Sequence, residues 1–168
     1  MRPVNTVPPG PVTMGPVRIS AKADYAIRAV VELASLADSN PAKGEQLASA
    51  QGIPLRFLLN ILQDLKRAGI VDSHRGSEGG YRLARPPDAL PLADIIRAVE
   101  GPLAQVGDAR PEDLRYTGPA EALSDVWIAV RANLRAVLEL VTVADVTEGS
   151  LPKTVRDLVR DPEAWVSH

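Results

Sequence analysis

The sequence lacks cysteine altogether and has few aromatic residues, which make up 4% of its 168 positions. Without cysteine, the chain has no disulfide, zinc–thiolate site, cysteine-ligated iron–sulfur cluster or thiol nucleophile. Histidine is scarce as well: His74 lies in a predicted strand and His168 ends the chain, so they offer no metal site or catalytic pair. A nucleophile–base set and a phosphate-binding glycine loop are also missing. We therefore predict that the protein is not an enzyme and binds no metal or cofactor.

The chain has no long apolar run. Its apolar stretches are too short to span a bilayer, and residues 1–17 lack the basic start and apolar run of a secretion signal. We therefore expect a soluble, cytoplasmic protein. Residues 1–17 contain five prolines and two glycines without periodicity, which predicts a disordered arm.

Residues 43–85 have the pattern of a winged helix-turn-helix. Leu47 and Ala48 belong to a short predicted helix, Gly52 marks a tight turn, and Pro54 opens a second helix where its missing N–H costs least. Three- and four-residue spacing on the second helix predicts a buried stripe of Ile53, Leu58, Ile61, Leu62 and Leu65. The polar residues of the other face are Arg56, Asn60, Gln63 and Lys66.

A predicted β-hairpin, the wing, follows the second helix. Gly69 is a candidate C-cap of that helix. Residues 70–75 have strand character, and residues 81–83 are predicted to form the second, returning strand of the hairpin. The tip at residues 76–80 is glycine-rich, and glycine adopts positive φ readily. The sequence thus predicts two helices followed by a two-stranded wing.

A further helix is predicted before residue 37, because Ser20 is a good N-cap and apolar residues follow at helical spacing. We expect Tyr25 to lie in the core. Lys22, at the start of this helix, is a candidate phosphate contact, since the free N–H groups of a helix N-terminus also attract anions.

Charge is distributed unevenly along the chain, although the formal net charge is only −2. Residues 18–85 hold ten Lys or Arg against seven Asp or Glu, a net of +3. Residues 86–168 hold eight against fourteen, a net of −6, and Arg2 supplies the remaining +1. The basic half therefore coincides with the predicted helix-turn-helix.

The region after the wing predicts a dimerisation element. A short helix runs from Pro91 to Gly101, and residues 101–119 show no sustained period, so we expect a long loop there. Residues 120–142 form a long predicted helix with an apolar seam of Leu123, Val126, Trp127, Val130, Leu134, Val137, Leu138 and Val141. We expect this seam to pack against a second copy of the chain; the alternative is packing on its own domain. Residues 143–165 predict one or two short helices that lie over the dimer seam.

The predicted fold is mostly α. It comprises a disordered arm (1–17), a winged helix-turn-helix domain (18–100), a loop (101–119), a dimerisation helix region (120–148) and a C-terminal short helix or tail (149–168).

These motifs resemble the Rrf2 family of bacterial transcription regulators over residues 18 to about 148. The wing sequence RGSEGGY at residues 75–81 and the helix end at residues 95–101 are its most specific features. The other matching segments are Arg18–Lys22, Tyr25-Ala26, Leu47-Ala48, Gly52-Ile53, Phe57-Leu58, Leu62, Leu65 and residues 68–71.

The resemblance implies a homodimeric, sequence-specific DNA-binding regulator, most often a repressor, that acts on a palindromic operator. By resemblance, the groove-reading residues near the start of the second helix are Pro54, Leu55, Arg56, Phe57, Leu59 and Asn60. Arg75 would enter the minor groove, and the backbone of Gly76, Ser77, Gly79 and Gly80 would contact phosphates. Physical chemistry agrees, because arginine can fork onto guanine and asparagine can bond to adenine.

Two departures from the family pattern affect the prediction. The iron–sulfur members carry three cysteines in the loop matching residues 101–119, so we expect no cluster here. Leu59 stands where an iron–sulfur member has an acidic residue that helps to select DNA sites, so that operator preference should not transfer. A leucine here could touch thymine methyl groups or pack against the wing.

The signal that controls the protein is open at this stage: a small molecule, a partner protein or none. Tyr116, Trp127 and Trp165 are candidates for a pocket, although core packing of the two tryptophans is the simpler interpretation. The alternative function is a winged-helix module that contacts a partner protein without binding DNA.

Overall fold

The computed structural model describes residues 19–36, 41–106 and 109–166. The predicted arm at residues 1–17 and His168 lie outside these ranges. Seven α-helices are described: α1 (Ala21–Ser35), α2 (Gly44–Gln51), α3 (Leu55–Arg67), α4 (Leu92–Glu100), α5 (Leu123–Leu138), α6 (Val143–Thr147) and α7 (Lys153–Arg160). The two strands are β1 (Val71–His74) and β2 (Gly80–Leu83). The mostly α fold with a two-stranded wing is confirmed.

Helix α1 forms the centre of the domain. Ser20 caps it as predicted, because its Oγ accepts a hydrogen bond from the Ala23 N–H at 3.0 Å. Ala23, Ala26 and Ala29 are fully buried. Such small side chains allow α2, α3, α4 and α6 to approach the same helix closely, and the core between them is aliphatic.

The helix-turn-helix forms as its spacing predicts. Gly52 has φ +61°, the left-handed conformation that ends α2, and the Ile53 N–H donates to the Ala48 carbonyl at 2.9 Å. The predicted stripe on and just before α3 is buried, which confirms the period: Ile53, Leu58, Ile61, Leu62 and Leu65 are each at most 4% exposed. The opposite face of α3 therefore points outward.

The wing is anchored at its base. Strands β1 and β2 pair antiparallel, with Val71 opposite Leu83 and His74 opposite Gly80. Ala42, just before α2, adds a further bridge: its N–H donates to the Tyr81 carbonyl at 2.9 Å, and the Tyr81 N–H donates to the Ala42 carbonyl at 2.8 Å. The hairpin is thus joined by backbone hydrogen bonds to the start of the helix-turn-helix.

Helix α5 is shorter than the predicted helix over residues 120–142. After Leu138 the chain turns back to the domain, where the Leu92 N–H donates to the Val141 carbonyl and the Val143 N–H to the Leu90 carbonyl, both at 2.9 Å. The side chains of Val141 and Val143 are buried within the chain. The prediction that Val141 belongs to the exposed seam is therefore wrong, because this residue packs into its own domain.

The C-terminal segment forms short elements, as expected. Thr142 caps α6, which packs on α1 rather than over α5. In α7 and the following turn, Leu158, Val159 and Trp165 are exposed. None of the helices within the described ranges is long and apolar enough to cross a membrane.

Candidate nucleic-acid interface

The exposed face of α3 carries most of the side chains predicted to read DNA. Arg56 and Asn60 are exposed on the side opposite the buried stripe. Within the described ranges, neither side chain makes a hydrogen bond or ion pair with the rest of the chain. A guanidinium and a carboxamide without internal partners keep their full hydrogen-bonding capacity for an external ligand.

The cations of the domain fall into two groups. Lys22, Arg28, Arg67 and Arg85 form ion pairs with carboxylates, and Lys66 Nζ donates to Ser73 Oγ at 2.5 Å. The exposed cations of the domain that form neither an ion pair nor a side-chain hydrogen bond with any described residue are Lys43, Arg56, Arg75 and Arg82. These four belong to the start of α2, the start of α3 and the wing. We call them the free cation set.

Lys43 and Arg82 were absent from the sequence prediction. Lys43 is the N-cap residue of α2, and Arg82 projects outward from β2 between Tyr81 and Leu83. The alternation of the strand could have indicated Arg82, since a residue between two inward-facing neighbours points outward. No sequence pattern could have indicated Lys43, because whether a lysine forms an ion pair depends on which carboxylates the fold brings near it.

Leu55 and Leu59 lie beside Gly44 at the start of α2. A Cβ placed on Gly44 would meet Leu59 Cδ2 at 3.0 Å, Leu55 Cδ1 at 3.6 Å and the ring of Tyr81 at 3.9 Å. Both leucines remain partly exposed, at 37% each. Leu59 therefore packs beside α2, and part of its side chain remains outside.

Phe57 is 43% exposed but packs partly on α1. Its ring meets Tyr25 edge-to-face, with centroids 5.8 Å apart and planes at 84°. The Arg28 guanidinium lies 5.5 Å from the Tyr25 ring centroid, and Arg28 also donates to the Gln51 carbonyl. Tyr25 itself is half-buried against the core rather than fully inside it.

The partly exposed Lys22 side chain binds two partners within the chain. Its Nζ lies 2.8 Å from an Asp64 carboxylate oxygen on α3 and donates to the Val99 carbonyl at 2.7 Å, near the end of α4. Lys22 on α1 thereby contacts both α3 and α4, and it donates a hydrogen bond to a carbonyl at the C-terminus of α4. This placement favours a structural role over the predicted phosphate contact.

The wing glycines serve the hairpin itself. Gly79 is buried, its N–H donates to the Gly76 carbonyl at 3.0 Å, and a Cβ there would lie 2.8 Å from the carbonyl carbon of Arg75. A Cβ on Gly80 would lie 2.5 Å from the Ala42 carbonyl oxygen. The backbone of Gly79 is therefore not available to a phosphate, whereas Gly76 and Ser77 remain exposed at the tip.

Arg75 and Pro54 are the remaining predicted DNA-contacting residues. Arg75 follows β1 at the wing tip, and Pro54 precedes α3; both are exposed. The first turn of α3 contains no acidic residue, so its N-terminus can face an anion. Glu78 is the one acid in the wing tip, residues 75–80.

Residues 19–149 match the Rrf2 family, which is described as an iron-dependent transcriptional regulator. The chain belongs to the Rrf2 family. A Mycobacterium tuberculosis (strain ATCC 25618 / H37Rv) protein named as an HTH-type transcriptional regulator is 51% identical over 151 residues, covering 90% of this chain and 94% of that protein. The HTH-type transcriptional regulator CymR of Bacillus subtilis is 33% identical over 129 residues, covering 77% and 88%.

Solved structures of Rrf2 proteins share the fold. The structure of CymR from B. subtilis, the global cysteine regulator, covers 79% of this chain and 98% of its own, with a TM-score of 0.68 and 32% identity. IscR from T. potens covers 90% and 93%, with a TM-score of 0.64 and 28% identity. The curated relatives are named as regulators of transcription, and the chain is accordingly a winged-helix, DNA-binding regulator of transcription.

The donor set of this Rrf2 protein does not fit an iron–sulfur cluster. The chain has no cysteine, and the described residues contain no group of three His, Asp or Glu side chains placed to hold a metal ion. The iron dependence in the family description therefore has no matching ligands in these residues.

Helix α5 contains no fully buried residue. Its seam residues Leu123 and Val126 are exposed, and Trp127, Val130, Leu134, Val137 and Leu138 are half-buried. Its main contacts are with the end of α4 and the turn Pro111–Asp113. Helix α5 therefore contacts its own chain along a half-buried face, and Leu123 and Val126 at its start stay exposed.

Of the three aromatic residues considered for a pocket, two are in contact, and the third, Trp165, is largely exposed. Trp127 Nε1 donates to the Tyr116 hydroxyl at 3.0 Å, which joins α5 to the preceding loop. Trp165 is 77% exposed, and its Nε1 donates to the Val159 carbonyl at 2.7 Å. Trp165 therefore does not pack in the core.

Proposed function

We propose that the protein is a homodimeric repressor that binds a two-fold symmetric DNA operator through α3 and the wing. The observation that carries the proposal is the free cation set, together with Asn60. These side chains lack internal ion pairs while neighbouring cations of the same domain have them. The resemblance to family members, rather than a feature of the site, supports the repressor role.

Helix α3 is the reading element in this proposal. Its buried stripe fixes its orientation, so Arg56 and Asn60 face outward at one end of the helix. Arginine forks onto the O6 and N7 of guanine, and asparagine pairs with adenine in the major groove. Leu55 and Leu59 are held beside α2, and their exposed portions suit thymine methyl groups.

The wing supplies the second contact. Arg75 at the tip is free to enter the minor groove, where arginine reads groove width more than base edges. Arg82 and Lys43 suit phosphates on either side of the groove that α3 enters. We assign no phosphate contact to Lys22, whose ammonium group already meets Asp64 and Val99.

The dimer is proposed from the apolar seam of α5 between Leu123 and Leu138. Two residues of this seam are exposed and five are half-buried, and an apolar stripe that keeps accessible area in the single chain is typical of a surface buried by association. A two-fold dimer would place two α3 helices on successive major-groove faces, about 34 Å apart.

Selection from random duplex DNA tests the proposal directly. We expect enrichment of a two-fold symmetric motif with two half-sites. Arg56→Ala should then relax preference at one position per half-site by about 1–3 kcal/mol. Gln63→Ala, an exposed residue of the same helix outside the predicted set, serves as the matched control and should leave the motif unchanged.

The salt dependence provides an independent measurement. If each subunit neutralises about four phosphates, the logarithm of affinity should fall with the logarithm of salt concentration at a slope of about −7 for the dimer. A slope near zero, or a selection that enriches no sequence, would instead favour a winged-helix module that contacts a protein. Repression would be tested by placing the selected motif across a reporter promoter.

A further inference from the structure

A cavity of about 430 Å³ lies away from the DNA-reading face. It opens between the end of α4, the following loop and the middle of α5. The side chains that matter for its chemistry are Arg97, Leu103, Gln105, Arg110, Glu112 and Arg131. Its size is at the lower end of the range for small-molecule sites.

The lining of this cavity is basic. Three arginines contribute to it against one acid, Glu112. Arg131 pairs with Glu112, and within the described ranges Arg110 has no ion pair. The Glu112 backbone N–H and then Arg131 lower the pKa of Glu112, so this pair remains charged at neutral pH. An excess of guanidinium groups in a concave site suits carboxylate or phosphate, which arginine binds with two parallel hydrogen bonds.

Arg97 is also paired, but its partners leave the region positive. It pairs with Asp94 and Glu139, which lie outside the cavity lining. Asp94 is shared with Arg85, and Glu139 with Arg135. Each of these two carboxylates is therefore divided between two arginines, and neither fully neutralises Arg97.

The backbone and floor of the cavity indicate a formed site. Ala104, in the lining, has φ +54° and is the one non-glycine residue with positive φ in the described ranges. Side-chain-bearing residues adopt this conformation mainly where the surrounding structure imposes it. Leu103 is 8% exposed and packs with Ala23 and Ile96 in a small apolar cluster, so the floor of the cavity is apolar.

We propose that this cavity binds a small organic anion, carrying carboxylate or phosphate groups, whose occupancy changes the affinity of the protein for its operator. The regulatory part rests on the proposed DNA-binding function. The anion would take the free donors of Arg110 and compete with Glu112 for Arg131 and with Glu139 for Arg97. Leu103 and the neighbouring prolines would cover its apolar portion.

The same arginines join the reading domain to the dimer helix. Arg97 is on α4 and Glu139 directly follows α5, so their ion pair spans the two elements. Helix α4 is in turn fixed to α1 and α3 through the contact of Lys22 with Val99 and Asp64. A ligand that draws Arg97 away from Glu139 would alter how α5 meets the domain, and thereby the spacing of the two α3 helices in a dimer.

Calorimetry on the full chain without DNA tests the site, with citrate as the carboxylate probe and inorganic phosphate as the phosphate probe. Chloride at equal ionic strength is the background. We expect saturable binding of at least one probe with one site per chain, and the probe that binds identifies the chemical group. Arg110→Gln and Arg131→Gln should each weaken it by roughly tenfold or more. Arg156→Gln, an exposed arginine of α7, is the matched control and should leave it unchanged.

No saturable binding of either probe, or equal binding by the parent and Arg110→Gln proteins, would overturn the site. Operator affinity with and without saturating probe is measured separately, and we expect a change of about fivefold or more that Arg110→Gln abolishes. Unchanged operator affinity with bound probe would overturn the regulatory role. Failure of the protein to bind any operator both with and without probe would instead count against the proposed function.

Discussion

The substitution Lys22→Met distinguishes a structural lysine from a phosphate contact. It removes an ion pair with Asp64 and a hydrogen bond to the Val99 carbonyl. The Lys22 side chain is 34% exposed and the Asp64 side chain is 20% exposed. A partly exposed pair contributes about 0.5–1 kcal/mol, and a charged donor on a carbonyl contributes a similar or larger amount. We therefore expect the free energy of unfolding to fall by about 1–2 kcal/mol.

Thermal unfolding and operator binding measure the two roles separately. The melting temperature should fall by about 2–8 °C for a chain of this size. The slope of affinity against salt should remain the same. Lys43→Met is the matched control, because that lysine is exposed and forms no ion pair with the described residues. It should leave the melting temperature unchanged and make the salt slope shallower by about one per substituted lysine.

A double-mutant cycle isolates the contact between Lys22 and Asp64. Asp64→Asn should destabilise the protein by itself, and the double substitution should cost less than the sum of the two single ones by about 0.5–1 kcal/mol. The reasoning fails if Lys22→Met leaves the melting temperature unchanged and weakens all DNA sequences alike. That result would assign Lys22 to a phosphate.

Three more outcomes can be measured. Gly80→Ala, whose Cβ would lie 2.5 Å from the Ala42 carbonyl oxygen, should lower the free energy of unfolding by about 1–3 kcal/mol in urea titration; an unchanged midpoint would show that the hairpin base yields freely. Val126→Glu, at a position 48% exposed, should convert dimer to monomer in sedimentation equilibrium without loss of helix, whereas Ala132→Glu on the opposite side of α5 should not; equal behaviour of the two would refute the proposed seam. Hydrogen bonds from Arg97 and Arg135 lower the pKa of Glu139, so its stabilising contribution is present above the unfolded-state pKa and is lost as pH falls through the lower folded-state pKa. The melting temperature of Glu139→Gln should accordingly fall less steeply than that of the parent below pH 4.5, and parallel curves would contradict this assignment.

The parts of the fold that were predictable depend on local repetition. The buried stripe through Leu58, Ile61 and Leu65 follows from helical period alone, and the Ser20 cap follows from a residue type that favours one position. Arg56 and Asn60 face outward for the same reason. Periodicity assigns faces without reference to distant parts of the chain, so these predictions needed no knowledge of the fold.

The features that spacing alone could not predict depend on long-range contacts. Lys22 meets partners 42 and 77 positions away. Gly80 is confined by Ala42, on a segment that precedes two helices. Val141 continues the apolar spacing of α5, yet backbone hydrogen bonds to the segment before α4 turn it inward. Spacing reports where a side chain would point if the helix continued, and not where tertiary contacts end the helix.

The pairing of Ala42 with Tyr81 has a mechanical consequence. Because two backbone hydrogen bonds clasp the hairpin at its root, the distance from Arg75 to the start of α3 is set by the protein before it meets any duplex. The protein therefore cannot change this distance to match a different DNA site. Operators whose grooves are offset differently would have to bend to fit, so the elasticity of the DNA between the two contacts becomes part of what the protein recognises.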